Sequence, residues 1–467
     1  MIKNKAKFEY NDLAVLFGEN QLRDINPEIN YEGVSIDSRT IEAGNIFVAI
    51  VGESIDGHTK IDHAFENGAS LAIAVMDKYD NKSGNPVIFV KDTTTALGKL
   101  ANHHRRRFDY PVIAIAGSNG KTTTKELSAH LLSAKYNVLK TYKNFNNQFG
   151  TPLMLLQMTD KHDLAVFELG TNQPGEVFIL SEMVEPTHGL ITNIGKEHLE
   201  FLENIDGVEL EETSLFAYLI KNDGLAFLNM DDSRLAKYTR VLSKFFSYGS
   251  DDDLNMRAII KTNDELYPEL NIKYNDKKII AKMQVHGLIM GLNGAAASAL
   301  ALHFGINENY LKKGLESFEN TIFGSYGRLL VENIGGISII NDTYNANPES
   351  MQKAIESLVS MPVKGERYAL LADMLELGTH SENEHKELLS SLAGTSINVL
   401  LYGTEMGKQY LSFENNSNIK YYSDKSDMIS EILSLIKMGD IALIKGSRGM
   451  KMEEIVDEIK NKFLDKS

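Results

Sequence analysis

Short apolar runs alternate along the chain with stretches of helical period, a pattern that predicts α/β architecture built on largely parallel sheets. In the first part, to about Phe108, strands are expected at Asn45-Ile46-Phe47-Val48-Ala49-Ile50 and Leu71-Ala72-Ile73-Ala74-Val75. A new unit begins at Tyr110-Pro111, where proline ends the preceding helix, and its first strand is Val112-Ile113-Ala114-Ile115-Ala116. Its later strands, Asp163 to Glu168 and His188 to Asn193, each end in polar residues. Ligands of open parallel sheets bind beyond the carboxyl ends of the strands, so Glu168 and Asn193 are expected to face one crevice. β-like stretches follow at 270–274 and 278–283. A third α/β unit runs from about Ile322 through strands at 336–342, 368–373, 399–403 and 441–446. The expected domains are therefore 1–108, 109–321 and 322–467.

The strand at 112–116 runs into Gly117-Ser118-Asn119-Gly120-Lys121-Thr122-Thr123 and then into a helix. Such a turn grips nucleotide phosphates: glycines let backbone N–H groups point inward, the helix N-terminus adds partial positive charge, a lysine neutralises the terminal phosphates, and a threonine hydroxyl can hold Mg²⁺. ATP and Mg²⁺ are the implied cofactors. The strict phosphate-loop pattern needs glycine five residues before Gly120, where this chain has Ile115. The shorter Gly-x-x-Gly-Lys-Thr also occurs at ordinary strand–turn–helix junctions.

Composition narrows the classes. A chain of 467 residues is too long for one ordinary core. Without cysteine there is no disulfide, thiolate metal site or cysteine nucleophile. The net charge of −16 argues against a general nucleic-acid binder, so phosphate binding must be local. No apolar run approaches a membrane span, and a cytoplasmic monomer is expected. Arg105-Arg106-Arg107 reads as a solvated helix end.

These segments resemble the Mur ligases of peptidoglycan synthesis. Gly117 to Thr123 is similar to the family's phosphate loop, and Ile191-Thr192-Asn193-Ile194-Gly195-Lys196-Glu197-His198 to its catalytic histidine segment; both would also fit folylpolyglutamate synthetases. The last third is narrower. Asp342-Thr343-Tyr344-Asn345-Ala346-Asn347-Pro348, Ala372 to Gly378 and Lys445-Gly446-Ser447-Arg448-Gly449-Met450 are similar to the branch that joins D-alanyl-D-alanine to UDP-N-acetylmuramoyl-tripeptide, and the Asp-Asn-Pro-Arg signature expected of the diaminopimelate- or lysine-adding branch is missing. The resemblance implies a central parallel-sheet ATPase domain, a Rossmann-like C-terminal domain and an N-terminal domain for the UDP-sugar.

It further implies that ATP phosphorylates the terminal carboxylate of the UDP-linked tripeptide and that the dipeptide amine attacks the acyl phosphate. Lys121 would bind the β/γ-phosphates, Thr122 and Glu168 the first Mg²⁺, and His198 a second metal; a surface histidine at a helix start is the alternative for His198. Arg328, in Tyr326-Gly327-Arg328, would contact phosphate and Asp342 the ribose. Tyr344, Asn345 and Asn347 would contact ATP or the dipeptide, although Asn-Ala-Asn-Pro also suits a helix cap. Lys445 and Arg448 would hold the dipeptide carboxylate, or be solvated helix-end charges. Ser38 and Arg39, with the segment from Gly52 to His58, and the loop residues Asn146, Asn147 and Thr151 would contact the UDP-linked substrate.

Two departures stand out. Where the family carries His-Asn-x-x-Asn near adenine, this chain has Ile289-Met290-Gly291-Leu292-Asn293, which keeps Asn293 and predicts a more apolar pocket. The family's carbamoylated lysine falls on Glu212, with Ser214 in place of the usual glutamate. Glu212 is expected to face the second Mg²⁺ as a carboxylate; otherwise it is a solvated acid beside Glu209 and Glu211. The competing functions are a Mur-type ligase with another amino acid substrate and a non-catalytic Mur-like protein that binds nucleotide or UDP-peptide.

Overall fold

The computed structural model describes residues 3–22, 25–52, 54–319 and 327–464. Glu53, Tyr326 and the boundary expected at 321/322 lie outside the described residues. Among the described residues no helix is long and apolar enough to cross a membrane.

Three main sheets follow one another along the chain. The first has four parallel strands in sequence order, Val34–Ser35, Ile46–Val48, Leu71–Val75 and Val87–Val90, and is followed by the helix Thr93–Arg105. Asp92 caps that helix by accepting from the N–H of Thr95. The second sheet has nine strands. Its parallel part runs from Val138–Lys140 at one edge through Leu164–Glu168, Val112–Ala116, His188–Ile191, Leu225–Asn229 and Phe245–Gly249 to Met256–Thr262. The stretches read as β-like, Pro268–Tyr274 and Lys277–Lys282, extend it as antiparallel strands. The third sheet has six strands, all parallel except the edge strand Leu330–Ile334.

The strand Val112–Ala116 explains where a ligand must sit. All five residues are buried, and they alternate between two cores: Val112, Ala114 and Ala116 pack on one face, Ile113 and Ile115 on the other. An apolar run without polar alternation is what a strand covered on both faces requires. Its neighbours are Leu164–Glu168 on one side and His188–Ile191 on the other, so strand order reverses here and a crevice opens at the carboxyl end. The register puts Glu168 opposite Ile115 and Ile191 opposite Ala116, and hence the Gly117 turn, Glu168 and Asn193 at one level. The small residues of the helix Leu288–His303, among them Ala295, Ala296, Ala297, Ala299 and Ala301, let it pack closely against the helix Lys121–Leu132.

The basic cluster corrects one expectation. Arg105 is 7 % exposed rather than solvated, and its guanidinium donates to the carbonyls of Val184, Glu185 and Phe108. Arg106 pairs with Glu185 and Arg107 with Asp12. Arg105 and Arg106 thus tie the end of the first unit to the end of the helix Glu176–Val184 of the second, while Arg107 stays within the first. Arg105→Ala, which strands three carbonyls, should cost about 2 kcal/mol or more in urea unfolding, whereas Arg106→Ala should cost much less.

Candidate active site

Two glycines make the loop possible. Gly117 has φ of +111°, and a Cβ there would lie 2.3 Å from Thr192 Oγ1; Gly120 has φ of +84°, and its Cβ would lie 2.3 Å from Asn293 Oδ1. Gly120 occupies the N-cap of the helix Lys121–Leu132 and offers no side-chain oxygen, which leaves the first-turn N–H groups for an anion. The strand end beside it fixes the loop from below. Asn193 accepts from the N–H of Ser118 through its carbonyl and from that of Asn119 through its side chain, while Thr192 Oγ1 donates to the carbonyl of Asn119. Ser118 Oγ accepts from the N–H of Gly195.

Carboxylates surround the loop. Glu168 is buried at the end of its strand, and its Oε1 accepts from Thr122 Oγ1 at 3.0 Å and from Asn146 Nδ2 at 2.8 Å. Its Oε2 has no hydrogen-bond partner and lies 3.6 Å from the Nζ of Lys125. Lys125 is itself fully buried and donates to the carbonyls of Thr141 and Lys143, the start of the Asn-rich loop. A hydroxyl and a carboxylate with one uncommitted oxygen suit Mg²⁺, which takes few protein oxygens and completes its shell with phosphates and water. Thr122 and Glu168 therefore fit that ion, although among the described residues no three His, Asp or Glu side chains converge on one point.

Lys121 lies among Glu197 at 3.4 Å and Glu212 at 3.7 Å. Burial alone would lower its pKa; Glu197, Glu212 and Glu168 outweigh that and raise it. Glu212 is fully buried, as are Glu209 and Glu211 very nearly, which corrects the reading of three solvated acids. Glu209 pairs with Arg234 and Lys237, and Glu211 accepts from the N–H groups of Gly175 and Val177. Glu212 Oε2 accepts from the N–H of Gly117 at 2.6 Å, behind the loop and off the cavity wall. Burial, with the charge of Glu197 beside it, pushes Glu212 up to about 8.

His198 is not a free surface side chain. It adopts φ of +47° at the start of the short helix Leu199–Leu202, its Nε2 lies 3.8 Å from Glu197 Oε2, and Glu376 Oε2 lies 2.6 Å from its Nδ1 without the alignment of a hydrogen bond. The imidazole holds the Glu376 carboxyl below its ordinary value.

The third unit supplies the opposite wall of a cavity of ≈ 400 Å³. Arg328 donates to Thr122 Oγ1 at 3.3 Å and stacks its guanidinium 4.0 Å over the Tyr344 ring. Asn347 caps the helix Pro348–Ser360 and also donates to Asn119 Oδ1, so the cap and the contact with the phosphate loop coexist. Lys445 is 1 % exposed, which corrects the solvated alternative; its Nζ pairs with Asp342 at 2.6 Å and donates to the carbonyl of Asn345. Asp342 also accepts from the N–H of Leu329.

The cavity wall thus brings together Ser118, Asn119, Gly120, Lys121, Thr122 and Thr123 with Asn146, Asn147, Glu168, His198 and Asn293, and with Arg328, Asp342, Tyr344, Asn345, Asn347 and Lys445. Ile289, Met290, Leu292 and Leu329 make one side apolar, in keeping with the lost His-Asn pair. Gly117 shapes the loop from beneath. Ser38, Arg39, Thr151, Glu212 and Arg448 are not on this wall. Ser38 Oγ contacts His63 Nδ1, Arg39 folds back on Asp37, and Arg448 pairs with Glu453. Glu197 and Glu376, both on the wall, escaped the sequence reading as individual candidates, although each lies in a segment quoted for its resemblance.

A phosphate-gripping loop at the switch point of a parallel sheet, faced by a third α/β unit that reaches into it, defines an ATP-using enzyme assembled across domains. The Mur ligase middle domain pattern matches residues 115–301, the glutamate ligase domain pattern 327–448, and the Mur ligase family catalytic domain pattern 30–105. A UDP-N-acetylmuramoyl-tripeptide–D-alanyl-D-alanine ligase of Bacillus subtilis is 33 % identical over 91 % of this chain and 93 % of its own. Crystal structure I of MurF from Acinetobacter baumannii is similar with a TM-score of 0.87 and 27 % identity, covering 98 % of this chain and all of that one. MurF from Thermotoga maritima, in complex with ADP, gives 0.82 and 26 % over 93 % of this chain and 98 % of its own. The chain belongs to the Mur ligase family, in its MurF branch.

Because a methyl on Gly117 meets Thr192 backbone and side chain at once, Gly117→Ala should weaken ADP binding by about tenfold or more in calorimetry. Ser133→Ala, at the far end of the same helix, should leave it unchanged.

Proposed function

We propose that this chain joins D-alanyl-D-alanine to UDP-N-acetylmuramoyl-tripeptide with consumption of ATP, as a cytoplasmic monomer. The observation that carries the reading is a shared cavity in which the phosphate loop, Glu168 and His198 meet Arg328, Asn347 and Lys445 of the third unit. The Bacillus subtilis relative is named for the same pair of substrates. The first unit, with Ser38 and Arg39, would receive the UDP-sugar, and Asn146 and Asn147 the peptide arm.

The chemistry asks for alignment and charge neutralisation rather than covalent help. Lys121 and the N–H groups after Gly120 hold the β- and γ-phosphates while the tripeptide carboxylate attacks the γ-phosphorus and the bond to ADP breaks. Arg328, beside Thr122, adds positive charge where the transferring group becomes most anionic. When Mg²⁺ is bound at Thr122 and Glu168, with a second ion at His198, it neutralises phosphate charge and brings the two anions together. The neutral amine of the dipeptide then attacks the acyl carbon, inorganic phosphate leaves, and a proton is released. The turn from Asn345 to Asn347 would supply donors to the dipeptide carboxylate, with Lys445, itself paired to Asp342, holding that turn through the Asn345 carbonyl.

A coupled assay tests this. ADP release should require UDP-tripeptide, and amide formation should further require D-alanyl-D-alanine; ligation of a different amino acid, or nucleotide binding with no substrate-dependent phosphate release, would select one of the competing functions. Lys121→Ala should lower turnover by roughly two orders of magnitude or more, because it removes an electrostatic clamp on the transferring phosphoryl group. Near-normal ligation by that variant would remove Lys121 from the mechanism.

A further inference from the structure

Glu197 lies directly before His198, is 6 % exposed, and lines the cavity. Its Oε2 contacts the ammonium of Lys121 at 3.4 Å and the Nε2 of His198 at 3.8 Å, while its Oε1 has no hydrogen-bond partner. Behind it Glu212 is wholly buried; its Oε2 is committed to the Gly117 N–H, its Oε1 is 3.7 Å from the same ammonium, and the Glu197 side chain adjoins it. One lysine is therefore the shared cation of two buried carboxylates. When that lysine turns to the phosphates of ATP, Glu197 loses its positive partner, and a buried carboxylate without one is costly. A divalent cation held by Glu197 and His198 would replace that charge.

We propose that Glu197 is the protein carboxylate that holds the second divalent cation together with His198. The role expected of Glu212 in place of a modified lysine passes in this way to a residue that reaches the cavity wall. A glutamate next to the histidine has the short reach needed, whereas Glu212 is turned toward the loop backbone. The proposal rests on the ligase reading above for the presence of ATP and a tripeptide carboxylate, but its test counts ions and needs no turnover, so it can fail while ligation succeeds.

Mn²⁺ is the probe, titrated by electron paramagnetic resonance into the full chain with a non-hydrolysable ATP analogue and UDP-tripeptide. Wild type should bind two ions per chain. Glu197→Gln and Glu197→Ala should keep the first and weaken the second by about tenfold or more, the scale on which metal affinity responds to disturbed ligation. Glu212→Gln should keep both within about threefold. ADP affinity, measured alongside, reports that the loop remains folded. Wild-type affinity for the second ion in either Glu197 variant, an equal loss in Glu212→Gln, or only one ion in the wild type would overturn the assignment.

Discussion

The ammonium of Lys121 is the charge on which the site depends. Three buried carboxylates, Glu168, Glu197 and Glu212, contribute to its field, and each also holds or borders a piece of backbone needed elsewhere. Glu212 anchors the Gly117 amide, Glu168 engages Thr122 and Asn146, and Glu197 joins the loop to His198. A buried carboxylate without a cation is expensive, and Glu168 has Lys125 beside it as well, so the share of Lys121 falls chiefly on Glu197. Each of the three has an oxygen without a conventional donor, which is the arrangement that the proposed cation sites would complete.

Much of this was legible from local pattern. The run Val112 to Ala116, followed by two glycines and a lysine, carries its own instructions: continuous apolarity demands cover on both faces, and the glycines supply the positive φ values at 117 and 120. The polar ends of later strands located the crevice because parallel register places strand ends side by side. Charges were harder. Arg105, Lys445 and Glu212 read as plausible solvated groups, and their burial was decided by partners distant in sequence: the carbonyls after residue 183, Asp342, and the Gly117 amide. Nothing in the immediate neighbourhood of such a residue reports the partner that makes its burial tolerable.

The third unit converts a phosphate site into a site for joining two molecules. Asp342 and Lys445 end adjacent parallel strands in register and neutralise each other there, and Lys445 and Ser447 also hold the carbonyls of Asn345 and Ala346, so that Asn347 is presented to the phosphate loop. Arg328 approaches the same loop from the other side and is held in plane by the Tyr344 ring. A guanidinium stacked in this way keeps its donors aimed while its face is desolvated, which a lysine could not do.

His198 and Glu376 meet across the two units at 2.6 Å, and both have positive φ, +47° and +63°. Neither is a residue that adopts such a backbone freely, and each carries a cost of order 1 kcal/mol or more. Strain on both sides of one contact is understandable if the contact is what positions the imidazole, because the relaxed backbone of either residue would draw the two groups apart. Glu200 reinforces it by donating its N–H to the carbonyl of Glu376, and His380 by contacting the carbonyl of Glu203. The histidine is thereby oriented only when the third unit is seated on the second, so the group nearest the proposed second ion is set by the same docking that brings Arg328 and Asn347 to the phosphates.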